Sequence, residues 1–252
     1  MDLQIEGRVA LVTGATTGIG RATALLLGRA GARLAVAGRN VAALEDLSET
    51  LGRDGARRPL ILTGDLAQAE TAGLLADKAI GTFGKVDILV NNAGGSRPLA
   101  ALDDEAAWEE AFALNFDAAR RLTHRLAPLM AARNWGRVVN VSGALIIKAV
   151  NAASPAKAAL ESWSKSMAAR FAAQGVTVNC VAPGRIKSPQ IMDRLHPTEE
   201  ARAAFIAQNI PAGRFGEPDE AAAVIAFLAS SPASYVNGVT IPVDGGTLRL
   251  AF

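Results

Sequence analysis

Short runs of β-branched residues alternate with longer Ala- and Leu-rich stretches along the whole chain, and this alternation limits the possible folds more than any other feature. The runs read as strands at 9–13, 33–37, 59–63, 86–91, 137–141, 176–181 and 239–243. The segments between them, such as 18–30, 41–51 and 67–83, carry apolar residues at helical spacing and end near Gly or a polar cluster. Repeated strand–helix units build a parallel sheet with helices on both faces, because parallel neighbours need a long crossover. An α/β, doubly wound parallel sheet is expected. A length of 252 residues, half of them apolar, suits one such domain. No internal repeat, low-complexity tract or flexible linker divides residues 1–252.

Charge narrows the partners. The 26 basic and 24 acidic side chains are spread evenly, so no block forms a footprint for nucleic acid or anionic lipid. Small molecules are the expected partners, with no nucleic acid and no membrane. Residues 1–8 carry acids where a signal peptide is basic, and no apolar run approaches the roughly 20 residues of a membrane span. A soluble, cytoplasmic protein is expected. The one cysteine, Cys180, lies in the apolar run 176–182, which suits a small core residue better than a disulfide or metal ligand. No metal site is expected.

The first strand runs into Thr13-Gly14-Ala15-Thr16-Thr17-Gly18-Ile19-Gly20 and then into a helical stretch. Glycines let the backbone turn tightly and approach a pyrophosphate, while the helix N-terminus offers free N–H groups and the positive end of its dipole. This is the strand–loop–helix setting of a Rossmann-type dinucleotide fold. At the end of the second strand Gly38-Arg39-Asn40 contains no acid to bind a ribose 2′-hydroxyl, whereas Arg39 suits a 2′-phosphate, so NADP is favoured over NAD.

The glycine spacing, TGxxxGIG, is followed in order by Asp65-Leu66, Asn91-Asn92-Ala93-Gly94, Asn115 and Pro183-Gly184, and together these resemble the short-chain dehydrogenase/reductase family. The tail from Pro211-Ala212-Gly213-Arg214 to Val243-Asp244-Gly245-Gly246 is similar to that of 3-oxoacyl-acyl-carrier-protein reductases and their relatives. The resemblance implies that Gly14, Thr16, Thr17, Gly18, Ile19 and Gly20 cradle the dinucleotide, with Pro183, Gly184 and Lys157 also on the cofactor. It implies further that Asp65 and Leu66 meet the adenine, that Asn91, Ala93 and Gly94 line its pocket, and that Ile186 and Ser188 hold the nicotinamide carboxamide.

In that family a Tyr transfers the proton, a Lys four residues later lowers its pKa and holds the ribose, a Ser binds the substrate oxygen, and an Asn supports a water relay. Lys157 in Ala156-Lys157-Ala158-Ala159 matches the lysine's setting and Asn115 the asparagine's, but Ala153 stands where the tyrosine belongs. The chain's single tyrosine, Tyr235, lies in the tail, where its ring is expected to pack and its hydroxyl to find a partner. The family's serine falls on Gly143, next to Ser142, which either serves the site or only bonds its own strand. The candidate catalytic residues are therefore Asn115, Ser142 and Lys157. Substitutes for the missing phenol are Lys157 itself, Ser142 or Ser154 through water, and Lys148 or Asn151. His124 and His196 read as surface residues.

The stretch 188–216 breaks the strand–helix rhythm after the sixth strand and is expected to lie over the ligand crevice as a substrate lid, with apolar Ile191, Met192, Leu195, Phe205 and Ile206. Long Ala-rich helices at 105–133 and 154–174, through which family members pair, imply a homotetramer, and the apolar end 248–252 is expected to be buried. Two functional readings follow. One is an NADP(H)-dependent oxidoreductase acting on a carbonyl or hydroxyl compound with a non-standard proton donor. The other is a dinucleotide-binding protein with no redox turnover, or with non-redox chemistry in the same pocket.

Overall fold

Alternate side chains of the first strand, β1 (Val9–Thr13), enter two different cores in the computed structural model, which describes residues 2–96, 99, 101–143 and 150–248. Val9 and Leu11 belong to one core and Ala10 and Val12 to the other, the period-two consequence of a strand covered on both faces. The remaining strands are β2 (Arg33–Gly38), β3 (Leu60–Thr63), β4 (Ile88–Asn91), β5 (Gly136–Val141), β6 (Val176–Pro183) and β7 (Thr240–Val243). They form one parallel sheet in the order β3-β2-β1-β4-β5-β6-β7. Every expected strand is present, most with bounds shifted by one or two residues.

One face carries α1 (Gly18–Arg29), α2 (Val41–Arg53) and α8 (Pro218–Leu228). The other carries α3 (Thr71–Phe83), α5 (Ala118–Ala131) and α6 (Ala153–Phe171). The helix expected over 105–133 is interrupted. It starts as α4 (Glu105–Phe112), widens into a π turn over Ala113–Asp117 and resumes as α5. A widened turn gives up regular i→i+4 bonding, and such turns concentrate at functional sites. Apolar periodicity does not reveal it. After β6 the chain forms a second π turn, Gln190–Leu195, and then α7 (Glu199–Asn209). Among the described residues no helix is long and apolar enough to cross a membrane.

The strand order reverses direction between β1 and β4. In an open parallel sheet that reversal leaves a crevice outside the carboxyl ends of the strands, where ligands bind.

Candidate active site

A cleft of about 680 Å³ occupies that crevice. Its nucleotide end is shaped by the turn from β1 into α1. Gly14 has φ +64, a conformation that side chains resist, and a Cβ there would stand 2.8 Å from the Asn92 amide nitrogen. A Cβ on Gly20 would collide with the Gly14 carbonyl oxygen and the Asn92 amide, so Gly20 is required by helix–loop packing and does not itself line the cleft. The N-cap of α1, Thr17, makes no side-chain cap bond, which leaves the first-turn N–H groups for a ligand. Gly18 faces Ser188 across the cleft, with 3.3 Å between the place of a Gly18 Cβ and the Ser188 Cβ.

Asn92 locks β4 to this loop. Its side-chain amide donates to the carbonyls of Thr13 at 3.0 Å and Gly14 at 3.1 Å, while the Thr13 hydroxyl accepts from the backbone of Asn92 and Ala93. At the end of β2, the Arg39 guanidinium lies 3.7 Å from the Asp65 carboxylate, and both side chains are solvent-exposed at the cleft wall. A turn that only glycine fits, a helix start without a cap and a flanking arginine fit a dinucleotide with a 2′-phosphate.

The other end of the cleft is built by α6 and by Ser142, Gly143, Val150 and Asn151, which follow β5 in the chain. Lys157 donates from Nζ to the Val141 carbonyl at 2.6 Å. Burial brings its ammonium down to about 8, opposed by the nearby Cys180 and Glu161. A Cβ on Gly94 would stand 2.9 Å from both Lys157 Nζ and Asn115 Oδ1, so these three positions share one corner of the cleft. Asn115 sits in the π turn, where its side chain accepts from Gly95 N and donates to the carbonyls of Gly95 and Ala111. Ser142 lines the cleft, but its hydroxyl donates to the Val181 carbonyl at 3.3 Å. Among the described residues, no neighbouring heavy atom lies within 4 Å of the place a Cβ on Gly143 would take. Asn151 accepts from Ala153 N at 2.9 Å and donates to Ser96 Oγ at 2.6 Å, bridging the cleft beside Ala153.

Apart from Gly20 and Asn91, every expected site residue lines this cleft. Asn91 is a correction: its side chain is 4 % exposed and donates to Thr123 Oγ1 and Asn140 Oδ1 inside the α5–α6 layer. It takes that side because it lies two residues beyond Leu89, which faces the same core. Asn92, one residue on, takes the cofactor side, and strand alternation was the signal that could have found it. Gly184 lines the cleft, yet its lack of a side chain answers to packing as well, since a Cβ would lie 2.8 Å from Asp244 Cα.

Two further expectations are overturned. Tyr235 is fully exposed at 102 %, with no packing for its ring, because it sits on the turn after α8. His196 is only 9 % exposed, enclosed by the rings of Phe205 and Phe215 at 4.5 and 5.5 Å. Burial lowers its pKa, helped by Arg185 and Arg202. His124 is exposed, edge-on to Trp163. Cys180 is buried, its thiol pushed up to about 11 by desolvation. Ser154 lines the cleft, while Lys148 and the last four residues lie outside the described residues. Arg185, Ser96 and Gln190 also line it, and no local sequence pattern marked them.

The family pattern described as enoyl-(acyl carrier protein) reductase matches residues 14–247. The chain is 38 % identical to the 3-oxoacyl-acyl-carrier-protein reductase FabG of Vibrio cholerae, over 97 % of this chain and 98 % of that protein. It is 36 % identical to the 2-dehydro-3-deoxy-D-gluconate 5-dehydrogenase of Escherichia coli, over 97 % of this chain and 96 % of that protein. Among solved structures, L-sorbose reductase of Gluconobacter frateurii, complexed with NADPH and L-sorbose, superimposes with a TM-score of 0.93 at 30 % identity, covering 99 % of this chain and all of that one. By its motifs, its fold and these relatives, the chain belongs to the short-chain dehydrogenase/reductase family.

Proposed function

We propose that this protein is an NADP(H)-dependent oxidoreductase that interconverts a carbonyl and a hydroxyl compound, with Lys157 as the proton donor in place of the absent tyrosine. The observation that carries this reading is the Lys157 ammonium, poised in the cleft at a pKa of about 8 beside Gly94 and Asn115. An acid works best when its pKa lies near the operating pH, and burial has brought this one there. Bound in the cleft, the nicotinamide supplies or takes up a hydride at the substrate carbon. The protein's own part is to hold and protonate. The glycine turn and the α1 N-terminus bind the pyrophosphate, and Lys157 gives its proton to the developing alkoxide. The segment 188–216, which places Ser188, Gln190, Ile191 and Leu195 along the cleft, acts as a lid that excludes water.

NADP rather than NAD is supported by Arg39 at the cleft wall, and the NADPH complex of L-sorbose reductase agrees with it. Arg39→Ala is expected to weaken NADPH about tenfold or more while leaving NADH nearly unchanged, since a charge-assisted bond to the 2′-phosphate is worth about 1.5–3 kcal/mol. Fluorescence titration checks this, and equal losses for both cofactors would refute the assignment. The loss of both hydroxyls, at Gly143 and Ala153, favours the rival reading of a dinucleotide binder without turnover. Assaying NADPH consumption against ketones, keto esters and imines separates the two, because a pure binder consumes none. We also propose a cytoplasmic homotetramer paired through the long helices at 105–133 and 154–174; light scattering at micromolar concentration showing a monomer would contradict the assembly.

A further inference from the structure

The lid end of the cleft carries a positive charge that no carboxylate of the described residues answers. Arg185 follows Pro183-Gly184 at the end of β6 and lines the cleft. Its Nε donates to His196 Nε2 at 3.3 Å, and its guanidinium carbon lies 4.9 Å from the centroid of the Phe205 ring. Among the described residues Arg185 forms no ion pair. Its neighbours add no negative charge either. His196 is shielded by Phe205 and Phe215, and Arg202 spends its donors on the carbonyls of Met192, His196 and Pro197.

The other two cations among the described residues of the cleft differ. Arg39 faces Asp65 at 3.7 Å, and Lys157 donates to the Val141 carbonyl. Among the described residues, Arg185 alone combines partial burial, which pulls its guanidinium below the ordinary range, with the lack of a paired carboxylate. A desolvated charge is costly unless something pairs with it, and an uncompensated one beside a ligand cleft marks a binding site. The contacts fix the arginine's position through Nε and the ring face, and leave Nη1 and Nη2, the two nitrogens that meet a carboxylate side by side.

We propose that Arg185 anchors a carboxylate of the substrate, so that the cleft takes oxo acids and the corresponding hydroxy acids. The proposal rests on the oxidoreductase reading for the carbonyl, but not for the anchor. A carboxylate matches the site better than a phosphate, because one guanidinium balances one negative charge and the nearby Ile191 and Leu195 offer an apolar wall to a short carbon chain. The glycine turn that would hold the cofactor's phosphates is faced by Ser188 at Gly18, while Arg185 packs toward His196 and Phe205 of the lid.

The test is calorimetric binding to the NADPH complex, with levulinate and its one- and two-carbon homologues each compared with its methyl ester. Ester and acid share the ketone and differ in the charge. The acids are expected to bind about tenfold or more tightly than the esters, and the preference to fall to near unity in Arg185→Met. Arg185→Lys, which keeps the charge but loses the paired geometry, is expected to retain an intermediate preference. Acids that bind no better than esters to the wild type would overturn the proposal, as would a preference that survives Arg185→Met. So would a loss of NADPH affinity in Arg185→Met, which would make Arg185 a cofactor contact. If Arg185→Met does not fold, the wild-type comparison and Arg185→Lys decide. Acid preference without any NADPH oxidation would support the anchor and sink only the redox reading.

Discussion

Lys157→Met is expected to slow reduction by about 10² to 10⁴ at saturating NADPH, the usual contribution of a positioned general acid. The methionine keeps most of the side chain's volume and removes a charge that burial already disfavours, so the fold survives. The pH profile separates proton donation from simple positioning. Burial places the protonated form of Lys157 in equilibrium with the amine at about pH 8, and only the ammonium can donate. The reduction rate of the wild type therefore falls as pH rises through about 8, and the oxidation direction gains over the same window because it needs the amine. In Lys157→Met the residual rate has no inflection there. An unchanged inflection in the variant would assign the proton to another group, with Ser142, Ser154 and Asn151, which line the cleft, as candidates.

The second large effect is a gain. Ala153 and Lys157 lie one turn apart on the same face of α6, so a phenol at 153 reaches toward the lysine ammonium. No described residue crowds the place of a Gly143 Cβ, so a serine there meets none of the described atoms. The double variant Ala153→Tyr with Gly143→Ser is expected to raise reduction of simple ketones by about 10² to 10⁴. Ala153→Tyr alone is expected to lower turnover of any bulky native substrate, because the ring fills space that the alanine leaves free. A double variant that binds NADPH normally and gains nothing with simple ketones would show that the corner formed by Gly94, Asn115 and Lys157 does not hold a carbonyl.

The fold and the nucleotide end were legible because they rest on local rules. Strands covered on both faces read as apolar runs, and a turn with positive φ at Gly14 must be glycine. That Ala153, and not a tyrosine, stands four residues before Lys157 is plain from the sequence, whose one Tyr is residue 235. What stayed hidden depends on contacts between distant segments. His196, next to Pro197, looks like a surface residue until Phe205 and Phe215 close around it. Arg185 carries no pattern that separates a cleft arginine from a solvated one; only the lack of an acidic neighbour in three dimensions does. Asn91 and Asn92 could have been told apart by strand alternation, but the shared motif hid the difference. Tyr235 was expected to pack because buried tyrosines do, and its full exposure shows that composition alone does not place a ring.

Hydride transfer without the tyrosine is the central claim, and a single-turnover experiment with NADPH deuterated at the transferring position of the nicotinamide tests it most directly. Mixed with the wild-type protein and a panel of oxo acids and neutral ketones, the label is expected on the carbinol carbon of one enantiomer of the product, at a rate that falls above about pH 8. NADPH that binds in the cleft but passes no deuterium to any carbonyl would contradict the account and leave a dinucleotide-binding protein in its place.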